Sequence, residues 1–213
     1  MSLKQLSALS VLVCTLPISG VTSAADMKPP SPLVVKGHIR AGGACDLTLG
    51  DGGVIDFGKL SNANSLKGPA TQHQMSLAIS CPGPTKIGFG LVDNRAGTKP
   101  ADEGERSFGL GNPAIGSYSI SLLSGSNRWV NGKRATVIYG YRYSDQWQRS
   151  TLGGIYLSSG NNSIYSWEVP GASPVAAGWV TDWLTIETSF KDDIAFTDEL
   201  EIDGSTTLEL VYL

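Results

Sequence analysis

Thr206-Thr207-Leu208-Glu209-Leu210-Val211-Tyr212-Leu213, the stretch that ends the sequence, carries the alternation of a half-buried β-strand. With a period of two, Leu208, Leu210 and Tyr212 fall on one face, and Thr207, Glu209, Val211 and Leu213 fall on the other. Asp203-Gly204 supplies a turn ahead of it. No later strand follows, so this one is expected either to be enclosed by an earlier strand or to lie at an edge. An edge strand presents a row of unpaired amides, which invites backbone from another chain.

The same two-residue alternation recurs upstream. It runs through Met75, Leu77, Ile79 and Cys81, through Ile87, Phe89 and Leu91, through Tyr118, Ile120 and Leu122, and through Leu184, Ile186, Thr188 and Phe190. A first strand is predicted over Lys36–Leu49 and a second over Val54–Leu60, separated by a turn at Gly50–Gly53. Pro82-Gly83-Pro84 reads as another turn, and a polar loop is expected over Asn62–Gln74. Asn131-Gly132 is the strongest hairpin signal in the chain, with a return strand over Thr136–Tyr143. No segment sustains a helical period. About eight to ten short strands separated by turn signals predict an all-β fold, a β-sandwich of immunoglobulin-like type.

The start of the sequence bears on compartment. Lys4 gives a positive n-region, Leu9–Leu16 an apolar core, and Thr22-Ser23-Ala24-Ala25 small residues at the cleavage positions, so residues 1–24 read as a secretory signal peptide. Pro17 and Ser19 interrupt the apolar run well short of the roughly 20 residues a membrane span requires. Loss of Lys4 from 16 basic residues, set against 19 acidic ones, moves the net charge from −3 to −4. That balance offers no basic footprint for nucleic acid. A charged fraction of 16% with 26 Gly suits a secreted β protein better than a disordered chain or a helical bundle.

Cleavage would leave two cysteines, Cys45 and Cys81, and an even pair in an exported chain reads as a disulfide. A metal or redox site is the alternative, but no further Cys or His stands nearby at ligand spacing. His38, on the predicted first strand, and His73, in a polar loop, are the two histidines, and neither sits in a triad-like setting. The acidic stretch from Asp192 to Asp203 matches no calcium-loop pattern. Asp93-Asn94-Arg95 is a candidate ligand contact, or else a turn in which Arg95 is tied to a carboxylate and Asn94 takes a left-handed backbone. Of the five tryptophans, Trp167, Trp179 and Trp183 are candidate ligand contacts, because aromatic faces stack on sugars, and about two of the five are expected to be exposed.

Taken together, the cleaved leader with a short arm, Lys36-Gly37-His38-Ile39 leading to Cys45, Cys81 ending an alternating strand, and the penultimate Tyr212 resemble subunits of bacterial fimbriae assembled by the chaperone and usher route, although the arm carries Pro29, Pro30 and Pro32 where donor arms of that family alternate apolar residues. Asp93-Asn94-Arg95-Ala96, Phe108-Gly109-Leu110-Gly111 and Ile115-Gly116-Ser117-Tyr118 look like a fimbrial-like family still catalogued under a domain of unknown function. The resemblance implies an incomplete, pilin-like β-sandwich over residues 36–213 that is closed by a donated strand, preceded by a donor arm over residues 25–35. In such subunits Leu208, Leu210 and Tyr212 would line the acceptor groove, and Leu33 and Val35 of the arm would enter a neighbour.

The function expected from this is a non-enzymatic structural or adapter subunit of a surface fimbria that supports cell adhesion, with no cofactor. Its partners would be a periplasmic chaperone, an outer-membrane usher and other fimbrial subunits, and it would pass through the periplasm to the cell surface. A tip adhesin that binds host or surface glycans is the alternative, resting on the aromatic stretch Tyr156–Trp183. A secreted hydrolase is a third reading, resting only on scattered carboxylates.

Overall fold

One strand, Thr71–Asp93 (β2), is the element around which the others are arranged. The computed structural model describes residues 43–56, 71–123, 125, 127–150, 154–160, 162–171, 173–191, 194 and 201–213. Met75, Leu77 and Ile79 are buried, and so are Ile87, Phe89 and Leu91. All six positions are odd-numbered, so the inward phase passes unbroken through Pro82-Gly83-Pro84. The turn expected there is therefore replaced by continuous strand. The two prolines, which lack amide donors, sit where pairing is already interrupted.

Each half of β2 has its own neighbours, and every pairing is antiparallel. The first half lies between Asp46–Leu49 (β1) and Ala176–Phe190 (β11), with Leu77 opposite both Leu49 and Asp182. The second half lies between Ser163–Glu168 (β10) and Thr206–Tyr212 (β12), with Phe89 opposite both Tyr165 and Leu210. Phe108–Gly109 (β3) pairs with Gly116–Leu123 (β4), which joins β11. The hairpin of Trp129–Val130 (β5) and Lys133–Arg134 (β6) also attaches to β11. Beyond β10 come Thr136–Tyr141 (β7) and Gln148–Arg149 (β8), while Gly154–Tyr156 (β9) borders β4. The result is all-β: a curled antiparallel sheet whose only helical pieces among the described residues are two short 3-10 turns.

The curl brings the inward faces of both halves into one core. Leu77, Ile79, Leu122 and Val180 from one half join Phe89, Leu91, Tyr165 and Trp167 from the other. The Phe89 ring lies 5.7 Å from Tyr165 and 5.6 Å from Trp167, centroid to centroid. Contacts of this kind add about 0.5–1.5 kcal/mol each beyond area burial. Gly88 is required here, since a Cβ would lie 2.7 Å from the Tyr165 carbonyl oxygen. A buried charge network crosses the core: Asp182 Oδ2 accepts from Arg128 Nε at 2.5 Å and from Trp167 Nε1 at 2.9 Å.

Cys45 and Cys81 form a disulfide across 36 positions, with Cα atoms 4.2 Å apart. Closing a loop of that size restricts the unfolded chain by about 4 kcal/mol in the entropy model.

Several local expectations are corrected. Val54–Asp56 do not form a strand, because the Val54 amide turns back to the Asp51 carbonyl; the rest of that expected strand lies outside the described residues. Asn131 and Gly132 take φ of 48° and 76°, as a two-residue hairpin demands, but the returning strand is only Lys133–Arg134. Thr136–Tyr141 leaves that hairpin and pairs with β10 and β8. His73 lies on β2 opposite Ile186 and not in a loop. The signal peptide, the arm with Leu33 and Val35, and His38 lie outside the described residues.

Candidate functional site

β12 is held to β2 along one side, and among the described residues it has no strand on the other. The Asn94 amide donates to the Ser205 carbonyl, and the Leu213 amide donates to the Lys86 carbonyl, each at 3.0 Å. In an antiparallel ladder the bonded pairs recur every second residue, so odd positions of β12 spend their amides on β2. Thr206, Leu208, Leu210 and Tyr212 therefore direct both N–H and C=O at the open edge. Leu208 and Leu210 also turn their side chains against the core, so the edge presents backbone and an apolar surface together.

Beside this edge is a groove with a volume of about 160 Å³. Its walls come from widely separated strands: Leu49 of β1, Met75 of β2, Tyr118 and Ile120 of β4, Ile186 of β11 and Leu208 of β12. β1 bounds the groove opposite β12, and among the described residues β1 also pairs only with β2.

Side chains fix β12 at both ends. At its end, Tyr212 Oη accepts from the Cys45 amide at 2.8 Å, which ties the penultimate residue to the disulfide. The residue as a whole is nevertheless 55% exposed. At its start, Tyr118 Oη and Thr206 Oγ1 are 2.6 Å apart. Burial pushes the Tyr118 hydroxyl up to about 12 despite that hydrogen bond, so the contact stays neutral across the physiological range. Midway, Arg142 pairs with Glu209 at 2.8 Å. Gly204 is needed for close packing, since a Cβ there would lie 2.9 Å from the Tyr118 ring.

Asp93, Asn94 and Arg95 form a turn that anchors the approach to β12. Asp93 Oδ1 accepts from the Arg95 amide and Oδ2 from the Gly109 amide. Arg95 reaches Asp203 through Nε and Nη2, at 2.9 and 2.6 Å. Asn94 Nδ2 donates to Ser205 Oγ and Thr207 Oγ1. Asn94 is not among the residues with positive φ, so the left-handed backbone expected for it is absent.

Trp167 is 2% exposed with its indole N–H held by Asp182, so it is not available to an external ligand. Trp179 and Trp183 are 44% and 39% exposed and lie on the outer face of β11, away from the groove. The sequence pointed to β12 but not to Tyr118, Met75 or Leu49 as the facing walls. Their alternation was visible; which strands would meet across the core was not.

Comparison with known proteins adds a family likeness. Residues 33–121 match a family model described as "Protein of unknown function (DUF1120)". The match runs through both cysteines, the whole of β2 and most of β4. The chain is also similar to the uncharacterized protein YhcF of Escherichia coli (strain K12), 26% identical over 213 aligned residues, covering 80% of this chain and 85% of the relative.

Proposed function

We propose that this chain is a structural or adapter subunit of a surface fimbria, an incomplete immunoglobulin-like β-sandwich that is closed by a strand from another polypeptide. The observation that carries the reading is the outward row of amides at Thr206, Leu208, Leu210 and Tyr212, set beside an apolar groove. A strand laid along that edge gains main-chain hydrogen bonds, and its alternate side chains find an apolar lining. The secretory leader read at residues 1–24 supports an export route, along which a chaperone would fill the groove first and a neighbouring subunit would replace it at the usher. The role is non-enzymatic and needs no cofactor.

Leu210→Pro tests this directly. The substitution deletes an amide that faces the open edge and is not used by the ladder to β2, so it blocks strand addition while sparing the existing pairing. Co-expressed with a candidate chaperone and usher, the variant is expected to be recovered in complex about tenfold less than wild type, the loss of a bond and an unpaired group being worth about 1–3 kcal/mol. Normal recovery and normal incorporation into fibres from Leu210→Pro would refute the proposal.

A further inference from the structure

We infer that the outer face of β11 and its neighbours is a binding platform for a neutral glycan, separate from the groove and independent of the strand-addition reading. Trp179, Thr181 and Trp183 alternate outward on β11, and β5 places Trp129 directly opposite Thr181 on the same face. Trp179 and Trp183 stand about 13 Å apart along the strand, from the rise per residue. Trp129 fills the diagonal between them at about 7–8 Å from each. Three indoles thus share one side of the sheet, two of them well exposed.

The rings rise from low ground. Opposite Trp179, Thr181 and Trp183 on β2 lie Ser80, Ala78 and Ser76. Small side chains beside Trp179 and Trp183 leave those two rings uncovered and set hydroxyl groups next to them.

The platform is also held rigidly. Asn131 Oδ1 accepts from the Gly178 and Trp179 amides at 2.8 and 3.2 Å, and its own amide donates to the Trp179 carbonyl at 3.1 Å. The hairpin turn thereby clamps the backbone that carries Trp179, next to the break in register between Ala177 and Trp179. The Trp183 amide is fixed by Asp182 Oδ1 at 2.8 Å, and Arg134 lies 5.7 Å from the Trp129 ring centroid. A surface whose backbone is locked in this way loses little conformational freedom on binding.

The chemistry of the face selects its occupant. Pyranose rings offer C–H faces that stack on indoles and hydroxyls that pair with Ser76, Ser80 and Thr181. Protein interfaces are depleted in Ser and Ala, and those are the residues that flank the tryptophans here, at Ser76, Ala78 and Ser80. A nucleic acid or another polyanion is disfavoured by the chain's net charge of −3.

Titration of the full chain with cellohexaose and chitohexaose, followed by tryptophan fluorescence, tests the inference, with sialylated and sulfated oligosaccharides as charged comparators. A neutral probe is expected to bind, and Trp179→Ala and Trp183→Ala are each expected to weaken it about tenfold. Tyr143→Ala, which removes a fully exposed aromatic elsewhere, should leave affinity unchanged. Both tryptophans are more than half buried, so thermal unfolding of each variant is measured as well and affinities are compared where both remain folded, which separates loss of binding from loss of fold. The inference is overturned if no neutral probe binds, if only charged probes bind, or if neither Trp variant lowers affinity. It is likewise overturned if the chain forms a dimer that these variants dissociate, which would make the occupant a second copy.

Discussion

Replacing Asp182 with Leu should be among the most damaging single changes in the chain. The side chain is fully buried and holds three donors: Arg128 Nε and Trp167 Nε1 on one oxygen, and the Trp183 amide on the other. Removing it strands the Arg128 guanidinium, itself in a residue only 6% exposed, which costs about 3–5 kcal/mol for a broken buried pair. The orphaned indole N–H adds about 1–3 kcal/mol. The total approaches the whole stability of an ordinary domain, about 5–15 kcal/mol. Arg128→Leu should cost less, about 3 kcal/mol, because Asp182 keeps two donors. In the double variant the stranded charge disappears, and only the indole and amide lose their acceptor, so its cost should be about 2–6 kcal/mol, below the sum of the singles. Urea unfolding followed by tryptophan fluorescence measures all three. Additive costs, or a loss below about 1 kcal/mol for Asp182→Leu, would refute the reasoning, since a buried pair of this geometry must couple.

The hydroxyl of Tyr118 should make folding sensitive to alkali. Its folded pKa, raised by burial from 10.0 to about 12, means that the stabilisation is intact below pH 10 and is lost as pH climbs through about 12. The loss should be about 3 kcal/mol, and Tyr118→Phe should flatten it; denaturant titrations at stepped pH, with phenolate absorbance, report both. Gly109→Ala should be severely destabilising, because the new Cβ would sit 2.1 Å from the Arg95 carbonyl oxygen, whereas Gly97→Ala meets nothing within 4 Å. Thermal unfolding should separate them by more than about 2 kcal/mol.

The fold class was legible because the strands alternate cleanly: Met75, Leu77 and Ile79, and likewise Tyr118, Ile120 and Leu122, all point into the core. Pro82-Gly83-Pro84 misled because local turn chemistry argued for a break, while the inward phase on both sides argued for continuity, and burial prevailed. The return strand at Thr136 was misplaced for a similar reason. Asn131-Gly132 specifies a reversal but not how long the pairing lasts. At the candidate site, the strand edge could be read from eight residues. The groove could not, because its walls come from Leu49, Met75, Tyr118 and Ile186, whose meeting is a matter of topology. Trp167 illustrates the same limit, since an inward and an outward indole look alike until Asp182 is found beneath one of them.

Because β1, β10, β11 and β12 all attach to the single strand Thr71–Asp93, that strand acts as a spine that neither half of the molecule can do without. New chain ends or inserted sequence placed inside it would sever four pairings at once. The exposed turn at Gly125 is a far safer place to reopen the chain, since it interrupts none of them. The two halves should for the same reason exchange their protected amides together, as one cooperative unit.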